Sequence, residues 1–325
     1  MSKEIWVQAG GERKPATVVE ERSTSRILRL MDGQYAKVVR GSCHVRENLD
    51  SDARCAHWLM RNRLSWKYLH RYRHPGLLRV GERVIDNRGD EGYLCDALVA
   101  YALHDPQHPA RESIKSFLTC CARLSRACGV MHEAGFVHGD ITPGNVCFRD
   151  HLPVLIDFET SVKIGQRLGV VESGDDDTSS ICCTPSCCSP EHLTSEPALP
   201  ASDVYCLALT MLSWITELFA VEGASPNQTS YESMRLCITG EYPHWEMVKL
   251  RFQEEVIVQI FQKALSLAPQ NRFQTGHALA DAFEECLSVL PDQVLYRTLH
   301  SESYHGNARA LSERDTVLYS CAYKN

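Results

Sequence analysis

The sequence lacks any apolar run long enough to cross a lipid bilayer. Its longest apolar stretch extends only from Leu207 to Ile215, and Glu217 follows soon after, whereas a membrane-spanning helix needs about 20 apolar residues. The first fifteen residues contain no apolar run either, so they predict no secretory signal. From these absences we expect a protein that does not insert into membranes and that works in the cytoplasm.

The chain also lacks an excess of positive charge. Its 41 acidic and 34 basic side chains give a formal net charge of −7 and a sequence pI near 6.1. This balance gives no general electrostatic reason to expect nucleic acid or an anionic membrane as a partner. A local basic group lies within residues 61–73. We interpret it as the solvated face of a helix, and a basic contact surface is the alternative.

Cysteine, by contrast, is abundant, with 15 residues in the chain. Without an export signal, reduced thiols in the cytosol are expected. The densest group consists of Cys182, Cys183, Cys187 and Cys188. Structural zinc sites usually use two separated pairs of ligands with short spacers inside each pair, and two adjacent doublets fit that pattern poorly. We interpret these cysteines as packing residues, with a zinc site and a redox-sensitive loop as the alternatives.

The first third of the chain is rich in strand patterns. Its 325 residues are enough for two lobes and a substantial core. Residues 16–40 predict strands around the turn at Asp32-Gly33. Residues 50–73 predict a helix, and residues 77–85 and 93–101 predict two further strands.

After about residue 104 helical patterns dominate. The predicted helices cover residues 113–134, 201–220, 229–239, 246–267 and 275–289. Residues 157–191 have the composition of a loop. A β-rich beginning and a helical remainder predict an α+β protein of two lobes with a cleft between them. We divide it into residues 1–103, residues 104–290 and a C-terminal extension, residues 291–325.

Three polar side chains have a spacing that suits phosphoryl transfer. Asp140 belongs to His138-Gly139-Asp140, Asn145 follows five residues later, and Asp157 comes twelve residues after that. Transfer from a metal–nucleotide complex uses one carboxylate to orient the attacking hydroxyl and accept its proton. An amide and a second carboxylate hold the metal ions. These residues therefore predict a phosphotransferase site.

This spacing resembles the catalytic loop and metal-binding turn of the protein kinase family. Further landmarks follow in that family's order over about residues 15–290: Lys37 in a strand, His74-Pro75-Gly76, Ser189-Pro190-Glu191, Asp203 in Ser202-Asp203-Val204-Tyr205, and Arg272 in Pro269-Gln270-Asn271-Arg272-Phe273. The chain is identified as a divergent member of the family. The resemblance implies a two-lobed kinase fold, with a β-rich N-terminal lobe and a helical C-terminal lobe.

The resemblance also implies ATP and Mg²⁺ as cofactors. Asp140 matches the catalytic carboxylate, and Lys37 matches the lysine that neutralises phosphate charge. Asn145 and Asp157 match the two metal ligands. Thr184 matches a residue that supports the catalytic loop beside the substrate, and its Thr-Pro context resembles the Ser/Thr-directed type.

Adenine would bind at the hinge from Ala100 to Leu103, which joins the two lobes. The glycine-rich phosphate loop of the family is missing, and Glu20 to Arg26 take its place. Glycines let the backbone approach phosphates and donate N–H groups to them. We expect Ser23 and Ser25 to supply part of those donors and nucleotide binding to be weakened.

The acid that normally pairs with the strand lysine is also not evident. The family's usual interval leads to Ser65 in the predicted helix, and no acid lies from Ala53 to Pro75. The only candidates are Glu47, Asp50 and Asp52, which come early. Lys37 is therefore expected to be held by one of these acids, by Asp157, or by none.

Three residues of the motif itself depart from the family. Gly139 replaces an arginine, so control by activation-loop phosphorylation through that arginine is not expected. Thr142 replaces a lysine that contacts the transferred phosphate. Glu159 replaces a glycine next to the metal-binding Asp157. Glu159 stiffens that turn, adds a third carboxylate near the metal, or simply faces solvent.

Four other residues are expected to have structural roles. His138 supports its loop, and Asp203 braces the catalytic loop through the backbone. Glu191 and Arg272 form a buried pair in the helical lobe.

Three functions are compatible with these residues. The first is an active Ser/Thr protein kinase with protein substrates. The second is a pseudokinase, which binds or regulates a partner protein with little or no catalysis. The third is a small-molecule kinase, because His-Gly-Asp is common in small-molecule phosphotransferases related to kinases. The sequence indicates no nucleic-acid partner and no oligomeric state.

Overall fold

A computed structural model describes residues 5–21, 25–39, 50–101, 105–167, 187–194, 196–216 and 245–299. Within the helix that begins at residue 50, side chains are described from residue 59 onward. Predictions for residues outside these ranges, including the helix over 229–239 and the extension beyond 299, stay predictions.

The N-terminal part is a closed barrel of six antiparallel strands. These are β1 (Ile5–Ala9), β2 (Glu12–Glu21), β3 (Ser25–Leu30), β4 (Tyr35–Val39), β5 (Val80–Asp86) and β6 (Glu91–Cys95), in the spatial order β1-β2-β3-β4-β6-β5. Pairing of Val7 with Asp86 brings β1 next to β5 and closes the barrel. The interior is a separate apolar core to which Val7, Leu28, Val38 and Val84 contribute.

Strand β1 was not predicted from the sequence. It is joined to β2 by Gly10 and Gly11, whose φ angles of 55° and 87° lie in the left-handed region that glycine adopts readily. The inward-facing Val7 and Ala9 are buried, while Gln8 between them is exposed. This short segment pairs with β2 on one side, and its pairing with the distant β5 on the other side closes the barrel.

Helix α1 (Asp50–Arg71) packs against the barrel. Leu69 is buried, and the indole Nε1 of Trp66 donates a 2.8 Å hydrogen bond to the carbonyl of Gly81 in β5. The predicted helix over residues 50–73 is therefore confirmed. The strands predicted at 77–85 and 93–101 are confirmed as β5 and β6, but β5 begins at Val80 and β6 ends at Cys95.

The C-terminal part is mainly helical. Its described helices are α2 (Ile114–Glu133), α3 (Pro190–Leu193), α4 (Pro200–Thr216), α5 (Trp245–Arg251), α6 (Glu255–Ala264), α7 (Gly276–Val289) and α8 (Asp292–Leu295). Two small sheets accompany them, formed by β7 (Phe136–Val137) with β10 (Val162–Lys163) and by β8 (Val146–Arg149) with β9 (Leu152–Leu155). Every residue of α4 from Ala201 to Thr216 is buried, so this helix forms the centre of the helical part.

Two predictions for the helical part were wrong in detail. The single helix expected over 246–267 is two helices, α5 and α6, separated at residues 252–254. Phe252 in this break is buried, and its ring lies 5.1 Å from the ring of Phe117 on α2. Insertion of this side chain into the core accounts for the interruption. The segment 157–191, expected to be a loop, includes β10 and α3.

A β-rich part followed by a helical part confirms the predicted α+β fold with two lobes. The divisions after residues 103 and 290 stay predictions. None of the described helices combines the length and the apolar character that crossing a membrane requires.

Candidate active site

The loop that carries Asp140 is held from the helical part by Asp203 on α4. The carboxylate of Asp203 accepts hydrogen bonds from the backbone N–H groups of His138, at 2.7 Å, and Gly139, at 3.0 Å. Gly139 has a φ of 81°, which favours glycine at this position. The prediction that Asp203 braces this loop is confirmed.

Asp203 is fully buried, and its surroundings stabilise its charged form. Burial alone would raise its pKa, but the hydrogen bond from His132 and the backbone N–H of Gly139 outweigh that effect and lower the pKa. His132 Nε2 lies 3.1 Å from Asp203 Oδ2, and its Nδ1 accepts a hydrogen bond from the backbone of Gly276. The proton of His132 therefore lies on Nε2, which donates to Asp203.

His138 has the structural role expected of it. Its Nε2 lies 3.0 Å from the carbonyl oxygen of Ile156, and its Nδ1 accepts a 3.3 Å hydrogen bond from the backbone N–H of Asp140. The ring also packs edge-to-face on Phe158, with centroids 5.0 Å apart. Since both ring nitrogens are used and the side chain is buried, His138 links the loop to the segment after β9.

Asn145 closes the loop onto Asp140. Its amide nitrogen donates to the Asp140 carbonyl oxygen at 2.8 Å and to the Asp140 carboxylate at 3.1 Å. Both bonds use the amide N–H groups, so Oδ1 is the atom of Asn145 that suits a metal ion. The backbone N–H of Ile156 donates to the Asn145 carbonyl at 3.0 Å, which places the segment leading to Asp157 beside the loop.

Lys37 projects from β4 and meets two carboxylates. Its Nζ lies 2.9 Å from Asp157 Oδ1 and 2.7 Å from Glu159 Oε1. Lys37 and Glu159 are both buried, whereas the side chain of Asp157 is 26% exposed. Asp157 has a left-handed backbone with a φ of 63°. The site therefore brings together the barrel lysine and the turn after β9.

The placement of Glu159 excludes one of its three interpretations, the solvent-facing side chain. It agrees with another, a third carboxylate close to Asp157. Glu159 does not face solvent, because its side chain is only 5% exposed. Of the expected partners for Lys37, Asp157 is one, and Glu159 is a partner that sequence reasoning missed. The available signal was an acid two residues after Asp157, combined with a helix that contains no acid from Ala53 to its end at Arg71. The candidate acids Glu47, Asp50 and Asp52 lie outside the residues whose side chains are described.

The donor atoms of the site suit Mg²⁺. This ion prefers oxygen ligands and uses one or two protein carboxylates together with substrate phosphates. Asp157 supplies a partly exposed carboxylate, and Asn145 supplies an amide oxygen. Lys37 adds a positive charge next to Asp157. The described residues therefore fit a metal-bound nucleoside triphosphate.

The remaining predicted site residues are less informative. Ala100 is half-buried and follows Val99, which pairs with Phe148 through two backbone hydrogen bonds of 2.9 and 2.7 Å. Ser25 begins β3 and is buried, which leaves little of it to meet a ligand. Leu103, Ser23 and Thr184 lie outside the described residues, and their roles stay predictions.

Within the helical part, Glu191 and Arg272 form the predicted buried pair. Arg272 Nη1 lies 2.6 Å from Glu191 Oε1, and Nη2 lies 3.0 Å from Oε2. Burial would raise the pKa of Glu191, but the hydrogen bonds and charge of Arg272 lower it. This fork fixes α3, which carries Glu191, to the segment between α6 and α7 that carries Arg272.

The described cysteines are packing residues. Cys187 and Cys188 are buried, and Cys182 and Cys183 lie outside the described residues. One other group, Cys128, His132 and Asp203, places three metal-ligating atoms within 4.8 Å of one another. Burial raises the pKa of the Cys128 thiol well above its ordinary value, and both nitrogens of His132 already take part in hydrogen bonds. The group is therefore a structural cluster.

Comparison with known proteins matches residues 66–283 to the protein kinase domain, which is about two thirds of the chain. Serine/threonine-protein kinase D of Synechocystis sp. is 28% identical over 162 residues, covering 49% of this chain and 29% of that protein. Serine/threonine-protein kinase PknD of Chlamydia trachomatis serovar L2b is 25% identical over 207 residues, covering 58% and 21%.

Serine/threonine-protein kinase PknK of Mycobacterium tuberculosis strain H37Rv is 30% identical over 173 residues, covering 53% of this chain and 14% of that protein. The chain thus spans less than a third of the length of these relatives. The family match begins at residue 66. Strand β4, which carries Lys37, therefore lies outside it, and so does the segment from Glu20 to Arg26 that replaces the phosphate loop. Because the match covers the catalytic loop and most of the helical part, the chain belongs to the protein kinase domain family.

Proposed function

We propose that this chain is an active protein kinase that transfers the γ-phosphoryl group of ATP to Ser or Thr hydroxyls. The observation that carries the proposal is the convergence of four side chains. Asn145 binds Asp140, the backbone of Asn145 holds the segment before Asp157, and Lys37 pairs with Asp157. A carboxylate, an amide, a metal-binding carboxylate and a cation are the groups that phosphoryl transfer uses.

Each residue has one role in this proposal. The Asp140 carboxylate orients the substrate hydroxyl and accepts its proton as the oxygen–phosphorus bond forms. The bond between the γ-phosphorus and the bridging oxygen breaks, and ADP leaves. Asn145 and Asp157 hold Mg²⁺, which neutralises charge on the phosphates when bound. Lys37 adds a positive charge at the phosphates, and Asp203 keeps the loop in position.

Protein substrates, a Ser/Thr preference and a cytoplasmic location belong to the same proposal. The names of the relatives support the Ser/Thr preference. The buried Glu191–Arg272 pair and the bracing Asp203 favour a protein kinase over a small-molecule kinase, because small-molecule phosphotransferases related to kinases generally lack the corresponding motifs. The location is proposed from the 15 cysteines of the chain, because reduced thiols are typical of cytosolic proteins.

A specific observation favours one alternative, a pseudokinase. Lys37 already has two carboxylate partners, so its charge is compensated without a nucleotide. The presence of Thr142 in place of the phosphate-contacting lysine also favours a pseudokinase. In that case the chain would bind or regulate a partner protein.

One experiment separates these functions. The melting temperature of the full chain is measured with and without millimolar Mg·ATP, since stabilisation follows RT ln(1 + [L]/Kd). Transfer of radiolabelled phosphate to the chain itself and to a generic basic protein is then measured, with Asp140→Asn as the control.

The proposal predicts a raised melting temperature and transfer by the wild type but not by Asp140→Asn. Binding without transfer supports the pseudokinase. Absence of both binding and transfer overturns the proposed activity. Equal transfer by the wild type and Asp140→Asn would overturn the assigned role of Asp140.

A further inference from the structure

The lysine of the barrel is paired in an unusual way. Protein kinases generally pair this lysine with a glutamate of the helix in the N-terminal lobe. Among the residues whose side chains the structure describes, two carboxylates contact Lys37, and both come from one turn after β9, with Asp157 at 2.9 Å and Glu159 at 2.7 Å. The part of α1 whose side chains are described, residues 59–71, contains no acidic residue.

Helix α1 reaches the pair with an amide. Asn62 is buried, and its Nδ2 lies 3.4 Å from Glu159 Oε1. Ser65, the position at which the family's interval predicts the acid, donates its hydroxyl hydrogen bond to the Arg61 carbonyl of its own helix at 2.9 Å. Arg61 in turn donates to the Ser161 carbonyl at 3.0 Å. The helix therefore contacts the turn that carries Glu159, but none of its described side chains offers a negative charge to Lys37.

We propose that Glu159 is the positioning residue for Lys37 and replaces the helix glutamate. This inference rests on the proposed function. Glu159 holds the ammonium group where it can reach nucleotide phosphates, and Asn62 orients Glu159. Because Glu159 and Asp157 belong to the same turn, the lysine anchor and a metal ligand move together. Displacement of α1 then removes an amide contact but leaves the ion pair.

The burial of the pair supports a specific role over a solvated surface contact. Glu159 is 4% exposed and Lys37 is 5% exposed. A buried ammonium requires an anionic partner. The second carboxylate oxygen of Glu159 accepts no hydrogen bond from the described part of the chain. A carboxylate with half of its hydrogen-bonding capacity unused is a poor choice for a purely structural brace.

The test moves the carboxylate that pairs with Lys37 from residue 159 in the turn to residue 62 in α1. Glu159→Gln keeps the shape but removes the charge, and Glu159→Ala removes the carboxylate. Asn62→Glu alone places a second carboxylate against Glu159 and is expected to be harmful. Combined with Glu159→Ala, it returns an acid to the helix, and glutamate, being one carbon longer than asparagine, extends toward Lys37 through the vacated space. Glu246→Gln, at an exposed residue of α5, is the control.

Two readouts follow these variants. The first is KM for ATP separately from kcat and from KM for the protein substrate, where Glu159→Gln should raise KM for ATP about tenfold. The second needs no nucleotide. It is the rate at which an N-hydroxysuccinimide ester acylates Lys37, measured by mass spectrometry. Loss of the carboxylate should accelerate acylation several-fold, and the Asn62→Glu/Glu159→Ala pair should reverse both effects.

The inference is overturned if Glu159→Gln and Glu159→Ala change neither the acylation of Lys37 nor KM for ATP. It is also overturned if Asn62→Glu is as harmful with Glu159→Ala as it is alone. If the role of Glu159 were merely structural, its replacement would lower the urea midpoint without these selective effects, and Asn62→Glu would not restore them. If the wild type neither binds Mg·ATP nor transfers phosphate, the proposed function fails, while the nucleotide-free acylation still decides how Lys37 is paired.

Discussion

Asp203 and His138 are joined by a 2.7 Å hydrogen bond in which the buried carboxylate accepts the backbone N–H of the loop residue. The other carboxylate oxygen accepts the N–H of Gly139. A central helix thereby fixes the backbone just before Asp140, and the charge of Asp203 serves two N–H donors at once. The position of the candidate catalytic carboxylate depends on this contact as well as on the two hydrogen bonds that Asn145 donates to Asp140.

Replacing Asp203 with Asn should destabilise the fold and impair any transfer reaction. The asparagine keeps one acceptor but turns an NH₂ group toward a backbone N–H, so a buried hydrogen-bonded charge is lost. We expect the free energy of unfolding to fall by about 3 kcal/mol, measured by urea denaturation. Asp281→Asn is the control, since that side chain is 67% exposed and pairs only on the surface. Equal losses in the two variants would contradict the bracing role.

Arg272→Lys should be far more harmful than its conservative chemistry suggests. Arg272 makes two bonds to Glu191 and also donates to the carbonyls of Ala201, Ser266 and Leu267. Lysine keeps the charge but not the planar fork of donors. We expect a loss of about 3 kcal/mol in the free energy of unfolding.

The matched control for this arginine is Arg126→Lys. Arg126 also forms paired bonds to carboxylates, but it lies at the surface against Asp281 and Glu284. Its replacement should cost at most about 1 kcal/mol. A similar loss at both positions in urea denaturation would show that the buried fork carries no special stabilisation.

Much of the helical part could be predicted because its landmarks lie close together in sequence or repeat with a helical period. The Asp140–Asn145–Asp157 spacing, the bracing Asp203 and the Glu191–Arg272 pair needed only the order of motifs. Strand β1 could not be predicted in this way. Its role depends on pairing with β5, about 75 residues away, and a five-residue alternating pattern does not specify such a partner.

The pairing of Lys37 with Asp157 was one of the alternatives that the sequence left open, but the pairing with Glu159 could not be predicted. Its partners lie about 120 residues away, on a turn whose left-handed residue, Asp157, sets the direction of the side chains that follow. The substitution of Glu for Gly at position 159 was visible. Its direction, inward rather than toward solvent, depended on tertiary structure.

His108 should make stability depend on pH between about 6.5 and 3. Burial, with a smaller effect from Arg111, lowers the pKa of His108 from 6.5 to about 3. Its contribution to stability is therefore complete above pH 6.5, the value of the unfolded chain, and is lost progressively as the pH falls toward 3. Its Nδ1 accepts the backbone N–H of Ala110 at 3.2 Å, a capping bond that asparagine can also make.

The expected result for His108→Asn is a flatter dependence of unfolding free energy on pH. The slope between pH 6.5 and 4.5 should fall by up to about 1.4 kcal/mol per pH unit. Urea denaturation at half-unit pH steps measures it, and pH 8 serves as the internal control, where both proteins have a neutral group at this position. An unchanged slope would mean that His108 is protonated equally in the folded and unfolded chains.

Cys95 and Cys120 should resist alkylation until the protein unfolds. Burial raises the pKa of both thiols to about 12. At pH 8 the reactive thiolate should be about 10³-fold rarer than in a free cysteine. Brief treatment with iodoacetamide followed by peptide mass spectrometry should leave both residues unmodified in buffer and modify them in urea. Comparable labelling in the two conditions would contradict their burial.

Gly92→Ala should open the barrel at the strand that carries Lys37. A Cβ atom at residue 92 on β6 would lie 2.0 Å from the Lys37 carbonyl oxygen and 2.7 Å from the Cα of Val38, and these are backbone atoms that cannot rotate away. The strands must separate locally, so we expect the free energy of unfolding to fall by about 3 kcal/mol and Lys37 to be acylated faster. Gly89→Asn is the control, because a Cβ there meets nothing within 4 Å and asparagine tolerates its φ of 84°. If both variants have the same urea midpoint and the same rate of Lys37 acylation, the close approach of β6 to β4 does not hold Lys37 in place.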